Sequence, residues 1–169
     1  MDTSVSRNFS NRVRQGALPP DARALSTLSR VDYSDAFFVR TGSVQERTAE
    51  QWARVILEDA PMAVRKSLLS GWLTIGLKLD RSRSGHSVLG WEVRGSAADF
   101  VLLSADSRVG MPAQLLVARR RGELLFATFV QLNNLIARTT WAAIEPAHVR
   151  IVHDILEQAS QRIHPFQSP

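Results

Sequence analysis

Four runs of strand-forming residues follow one another after Asp80, and the gaps between them are too short to hold a helix. They read VLGWEVR, DFVLLSA, MPAQLLVAR and ELLFATFVQLN, broken by GSAA, DSRVG and RRRG. A parallel pair of strands needs a crossover of about a dozen residues or more, whereas antiparallel neighbours need only a hairpin. Breaks of this length, carrying glycine and small polar residues, therefore commit the segment to an antiparallel meander.

The flanks decide what the meander packs against. Upstream, YSDAFFVRT from Tyr33 is a further strand, ended by Gly42. In TAEQWARVILEDAP, Thr48 as N-cap and Gln51 three residues on form a capping box, and Trp52, Val55 and Ile56 fall at helical spacing. Pro61 stops this helix and can open a second, through MAVRKSLL to about Ile75, with Val64, Leu68 and Leu69 inward. Downstream, a helical pattern runs from about Asn134 to Ile163. The expected fold class is α+β: a curved antiparallel sheet covered by a long C-terminal helix, with two short helices after the first strand. Residues 31–163 form one domain. Residues 1–30 are rich in Ser, Arg, Asn and Pro and read as a flexible arm, in which PPDARALSTLSR can hold a short helix capped by Asp21. Residues 164–169 are a tail.

At 169 residues one core suffices without staples, and the lack of cysteine removes disulfides, thiolate metal sites and cysteine nucleophiles. The first twenty residues hold no signal-peptide core and no later run reaches the roughly 20 apolar residues of a membrane span, so a soluble, cytoplasmic protein is expected. The net charge of +5 and a pI near 10.9 raise nucleic acid as a partner. Yet arginines and acids are interspersed, and Arg119 to Arg121 is the one compact cluster. Nucleic acid is therefore not the expected partner. No Gly-rich phosphate loop and no Gly-x-Ser-x-Gly turn is present.

The C-terminal helix carries the chemistry. In TTWAAIEPAHVRIVHDIL, Glu145 and His148 have the Glu-x-x-His spacing of some metal sites. At about 100° per residue from His148, Trp141, Ile144, Ile151, Val152 and Ile155 all lie within about 60° of it, with Leu156 just beyond. His153, about 140° away, does not share that face. One Glu-x-x-His unit is half of what a carboxylate-bridged bundle needs, and zinc takes three or four protein ligands, so no metal is expected. Pro146 suits the start of a helical segment better than a helix interior, which predicts a kink there. His148 is then either a buried histidine bonded to a neighbour or a polar group facing a cavity.

The stretch TFVQLNNLIARTTWAAIEPAHVRIVHDIL, with Asn134, Arg138, Trp141, Pro146 and His148 in order, resembles the SRPBCC superfamily of START-type and polyketide cyclase/dehydrase-like domains. More narrowly, it resembles an uncharacterised bacterial branch of it. Trp52 and the GLKL after the second helix fit the same likeness, which spans about residues 31–163. The branch has Gly where Ala137 stands and an aromatic where Ala147 stands. The resemblance implies a helix-grip fold with an apolar cavity for a lipid, polyketide or similar molecule, and no cofactor. The expected lining is Trp141, Ile144, His148, Ile151, Val152 and Ile155, with Phe126, Thr128 and Val130 from the last strand and Trp91 from an earlier one; Arg138 stands beside it. Helical spacing fits a filled core equally well.

Three functions follow. The first is binding of an apolar small molecule. The second is a cyclase- or dehydratase-type enzyme with His148 as acid or base and Glu145 or Arg138 as helper. The third is a protein- or nucleic-acid-binding module using the arginines. In the last strand Leu124, Phe126, Val130 and Leu132 lie on one face and Leu125, Ala127 and Phe129 on the other. Both faces being apolar, something must cover the outer one: the N-terminal arm or a second copy. A homodimer is one expectation.

Overall fold

In the computed structural model, which describes residues 12–42, 44–82 and 85–163, the meander is the larger part of an eight-stranded sheet. In chain order its strands are β1 (Val13–Gln15), β2 (Tyr33–Arg40), β3 (Leu77–Lys78), β4 (Ser87–Val88), β5 (Trp91–Ser96), β6 (Phe100–Ser107), β7 (Ala113–Arg120) and β8 (Glu123–Val130). They lie in the order β1-β2-β8-β7-β6-β5-β4, with β3 beside β6, and every pair is antiparallel. The helices are α1 (Pro20–Arg23), α2 (Ala49–Leu57), α3 (Met62–Thr74) and α4 (Leu135–Ile163). The α+β class, the meander and the long C-terminal helix are as expected.

The strand rule places alternate side chains on opposite faces, and the two faces hold two separate cores. The inner one joins Phe37, Val101, Leu103, Leu115, Val117 and Phe126 of the sheet to Trp52 and Ile56 of α2 and Trp141, Val152 and Leu156 of α4. The outer one joins Phe38, Leu102, Leu116, Leu125, Ala127 and Phe129 to Ala22, Leu18, Leu25, Leu28 and Val31. The cover on the outer face is thus the chain's own N-terminal segment. From Val13 to Val31 that segment is packed, with β1 extending the sheet edge and Ala22 fully buried. The ground for a second copy on this face is removed. Residues 1–11 of the arm and the 164–169 tail lie outside the described residues.

Two local readings change. VLGWEVR is a hairpin, not one strand: Val88 pairs with Trp91 across Leu89 and Gly90, whose φ values are 45° and 88°. A two-residue type I′ turn needs both central residues at positive φ; Gly90 supplies one without cost. The C-terminal helix is also single, with Pro146 inside it rather than between two segments. The capping box forms as expected, with Thr48 Oγ1 accepting from Gln51 N at 3.2 Å and Gln51 Oε1 accepting from Thr48 N at 2.8 Å. Among the described residues no helix is long and apolar enough to cross a membrane.

The start of α4 is fixed by Asn134. Its Oδ1 accepts from Ala137 N at 2.8 Å, an N-cap contact, while its Nδ2 donates to Val109 O at 3.0 Å. Gly110 makes room for this: φ is +77°, and a Cβ there would collide with Asn134 Nδ2. Gly110→Ala should therefore destabilise the domain by about 2–3 kcal/mol, from left-handed backbone strain plus a lost cap. Urea midpoints measure it, and a loss below about 0.5 kcal/mol would contradict this account.

Candidate functional site

Between the sheet and α4 lies a partly open cavity of about 40 Å³, counted as space open to the centre of a water molecule. One water needs about 10–15 Å³ on a comparable measure, so the room is for a compact group of atoms rather than a long chain. The sheet contributes Trp91, Ala113, Leu115, Thr128 and Val130; α4 contributes Trp141 and His148. Trp72, near the end of α3, with Ile75 and Leu77 just beyond it, closes another side, and Met111 completes the wall. The lining is mostly apolar with a few polar groups, the common character of small-molecule sites.

Five of the expected residues meet here: Trp91, Thr128, Val130, Trp141 and His148. Phe126, Val152 and Ile155 are buried in the inner core but do not line the cavity, and Ile144 packs half-buried against that core. Ile151 is 47% exposed and Arg138 is exposed as well; neither reaches the site. The reason is rotational. The buried residues of α4 include Trp141, Val152, Ile155, Leu156 and Ala159, a stripe centred on the Leu156 side of His148. Ile151 falls beyond its opposite edge. His153 stands apart beside Asp154 and Glu157, as its angle implied.

His148 does have a partner, and it is neither Glu145 nor Arg138. Asp35, near the start of β2, is 5% exposed, and its Oδ2 lies 2.9 Å from His148 Nε2. The same oxygen accepts from the Tyr33 hydroxyl at 2.9 Å, and Oδ1 accepts from Thr128 N at 3.1 Å. An ionised carboxylate only accepts, so the network places a hydrogen on His148 Nε2. Tyr33, Trp141 and His148 form one aromatic group, with centroids 4.7 Å apart for Tyr33 and Trp141 and 5.1 Å for Trp141 and His148. Trp141 and His148 meet because seven residues are about two helical turns.

Burial pushes the Tyr33 phenol well above its ordinary range, and the negative charge of Asp35 pushes it the same way. The folded pKa then exceeds the unfolded value near 10, so above about pH 10 the unfolded chain releases a proton that the folded chain keeps. This contribution to stability is complete below about pH 10 and is lost as the pH climbs further. Tyr33 is the chain's single tyrosine, so its ionisation is read directly. Phenolate absorbance should appear together with alkaline unfolding; a titration near pH 10 in a folded chain would contradict it.

Three residues that line the cavity each carry a buried polar atom without a partner among the described residues, Thr128 Oγ1, Trp91 Nε1 and Trp141 Nε1, and these atoms are packed away from the open space. Among the described residues, no three His, Asp or Glu side chains are grouped to hold a metal ion. Several arginines are engaged in ion pairs: Arg14 with Glu123, Arg30 with Asp32, Arg54 with Glu50 and Glu58, Arg120 with Asp21. Comparison of the chain with protein-family models, with curated proteins and with solved structures finds no match.

Proposed function

We propose that this domain binds a compact, mostly apolar small molecule in the cavity between the sheet and α4. The observation that carries the reading is the wall itself: three tryptophans and aliphatic side chains, with His148 among them, around a space larger than one water. Membership in the SRPBCC superfamily is part of this proposal; the sheet-and-helix architecture is compatible with it. A larger lipid or polyketide would need the wall to yield. The side to yield is α3, of whose residues Leu68 alone is buried.

Native mass spectrometry of freshly purified protein tests the reading. An apolar adduct of low mass, released by denaturation, is expected. A bare polypeptide mass, together with no response of the tryptophans to any added small apolar compound, would overturn it.

A second reading has its own observation. His148 bonded to a buried carboxylate, with its other nitrogen unassigned to any partner, is a general-base arrangement. Under this reading the domain is an acid–base enzyme of the cyclase or dehydratase kind. The released adduct, returned to the protein in deuterium oxide, should then exchange its acidic C–H positions with the parent chain and not with His148→Asn. Equal exchange with both proteins would remove the enzyme reading and leave binding.

A further inference from the structure

We infer that the end of the sheet carrying the β7–β8 turn is a second binding surface, which holds the phosphate backbone of a double-stranded nucleic acid. The inference is independent of the cavity, which Ala113, Leu115, Thr128 and Val130 place at the other end of β7 and β8.

Arginines and acids alternate along the chain, and folding undoes the alternation. Arg40 ends β2; opposite it on β8 stands Glu123, and opposite Glu123 on β7 stands Arg120. Arg40 N donates to Arg12 O at 3.0 Å, which sets Arg12 at the same level across β2. Directly opposed residues share a face, and Phe38 and Leu125, two positions in, fix that face as the outer one. Arg12, Arg40, Glu123 and Arg120 thus form one row, about 14 Å wide at the usual strand spacing. Arg14 stands opposite Phe38, just below the row, and Arg121 is in the turn. Arg23 follows closely on Asp21, which Arg120 holds at 2.7 Å. The acids here are already taken: Glu123 by Arg14 and Asp21 by Arg120. Two further acids at this end, Glu46 and Asp99, each adjoin another arginine, Arg47 or Arg119. Arg12, Arg23, Arg40 and Arg121 have no ion pair or side-chain hydrogen bond among the described residues.

A planar guanidinium meets phosphate oxygens with two parallel hydrogen bonds. A duplex carries one negative charge per about 1.7 Å of its axis, so several phosphates face a row this wide. Single strands are held by stacking their bases on exposed aromatic rings. Here the rings beside arginines, Phe38 under Arg14 and Trp52 under Arg47, are 8% and 0% exposed. Membrane surfaces are gripped by apolar side chains that enter them. The exposed large apolar residues, Leu73, Val109, Leu135 and Ile136 among them, stand on other elements. What this end offers is contact with a duplex backbone, so binding is independent of base sequence.

The test is fluorescence anisotropy of a labelled DNA duplex of about 20 base pairs, titrated with the full chain between about 50 and 200 mM salt. Binding should weaken roughly sixtyfold across that range, a log–log slope near −3, as three or four neutralised phosphates give. Arg40→Gln and Arg121→Gln should each reduce the slope by about one and weaken binding several-fold at the low-salt end. Arg108→Gln, before β7 at the opposite end, should change neither. All three side chains are exposed, and urea midpoints verify that the variants fold.

No binding at the lowest salt would overturn the inference. So would a slope that both variants leave unchanged, or an equal effect of Arg108→Gln. Tighter binding of the separated single strand would overturn the duplex. Tighter binding of anionic phospholipid vesicles would make the surface a membrane contact instead, and tighter binding of polyglutamate a contact for an acidic protein; either result would also overturn the inference. None of these outcomes bears on the cavity.

Discussion

Replacing Asp35 by leucine is expected to destabilise the domain by about 3 kcal/mol, and replacing it by asparagine by about 1 kcal/mol. Leucine fills the space but accepts nothing. The Tyr33 hydroxyl, the Thr128 N–H and the His148 Nε2–H would then lose their acceptor together. Each buried donor left unpaired costs about 1–3 kcal/mol. Tyr33 is half-buried and the His148 side chain is 19% exposed, so both recover part of that loss by turning to water, and the sum stays near the lower bound. Asparagine keeps an oxygen for Thr128 N and offers an N–H₂ to the other two. Tyr33 can accept with its oxygen, and His148 can accept once its hydrogen moves to Nδ1. The asparagine variant should therefore fold, with the histidine tautomer reversed. Urea unfolding at unchanged m-value gives the stabilities, and ring ¹⁵N shifts give the tautomer. A leucine variant within about 1 kcal/mol of the parent would show that the network holds little.

This pair also marks where the sequence stops being readable. Periodicity places His148 on the inner face of α4, and the structure keeps it at the cavity. Periodicity cannot name its partner, because Asp35 lies 113 residues earlier and only the β2–β8 pairing brings it near. A local signal exists. In YSDAFFVR the inward positions are Tyr33, Asp35, Phe37 and Val39. A carboxylate between two aromatics on a buried face must have donors to meet, and that demand is already present in the order of the residues. The meander and its helix are legible because turn length and helical period are local properties. The VLG hairpin is not, because it depends on Leu89 accepting positive φ, which leucine seldom does. Pro146 misleads for the opposite reason. Its local cost is real, yet Trp141 on one side and Val152, Ile155 and Leu156 on the other bury against the same sheet, and that packing keeps one helix through it.

Deleting residues 1–30 should cost the domain more than any single substitution. The sequence of this stretch, taken alone, has too few large apolar residues to fold. It does not have to fold alone, because the outer face of the sheet supplies the other half of a core. Leu18, Ala22, Leu25 and Leu28 sit on Phe38, Leu102, Leu116, Leu125 and Phe129. Polar contacts fix the register. Gln114, 2% exposed on that face, accepts from Ser26 Oγ at 2.9 Å and Thr27 N at 3.0 Å, and donates to Thr27 Oγ1 at 2.6 Å. Arg120 holds Asp21 at 2.7 Å. Without the arm, Gln114 keeps only a long contact to Ser104 Oγ at 3.5 Å, β2 becomes a bare edge, and two aromatics and several leucines face water. An apolar patch beside an open strand edge drives association. The full chain should scatter light as one copy of 18.8 kDa, since its outer face is already covered. The truncated chain should form oligomers or precipitate, and any soluble fraction should melt about 10–20 °C lower, as a loss of about 5 kcal/mol gives in a domain of this size. A truncated chain that stays monomeric at an unchanged midpoint would mean that the arm merely rests on the sheet. A full chain that is dimeric at micromolar concentration would mean that some surface other than this face brings two copies together.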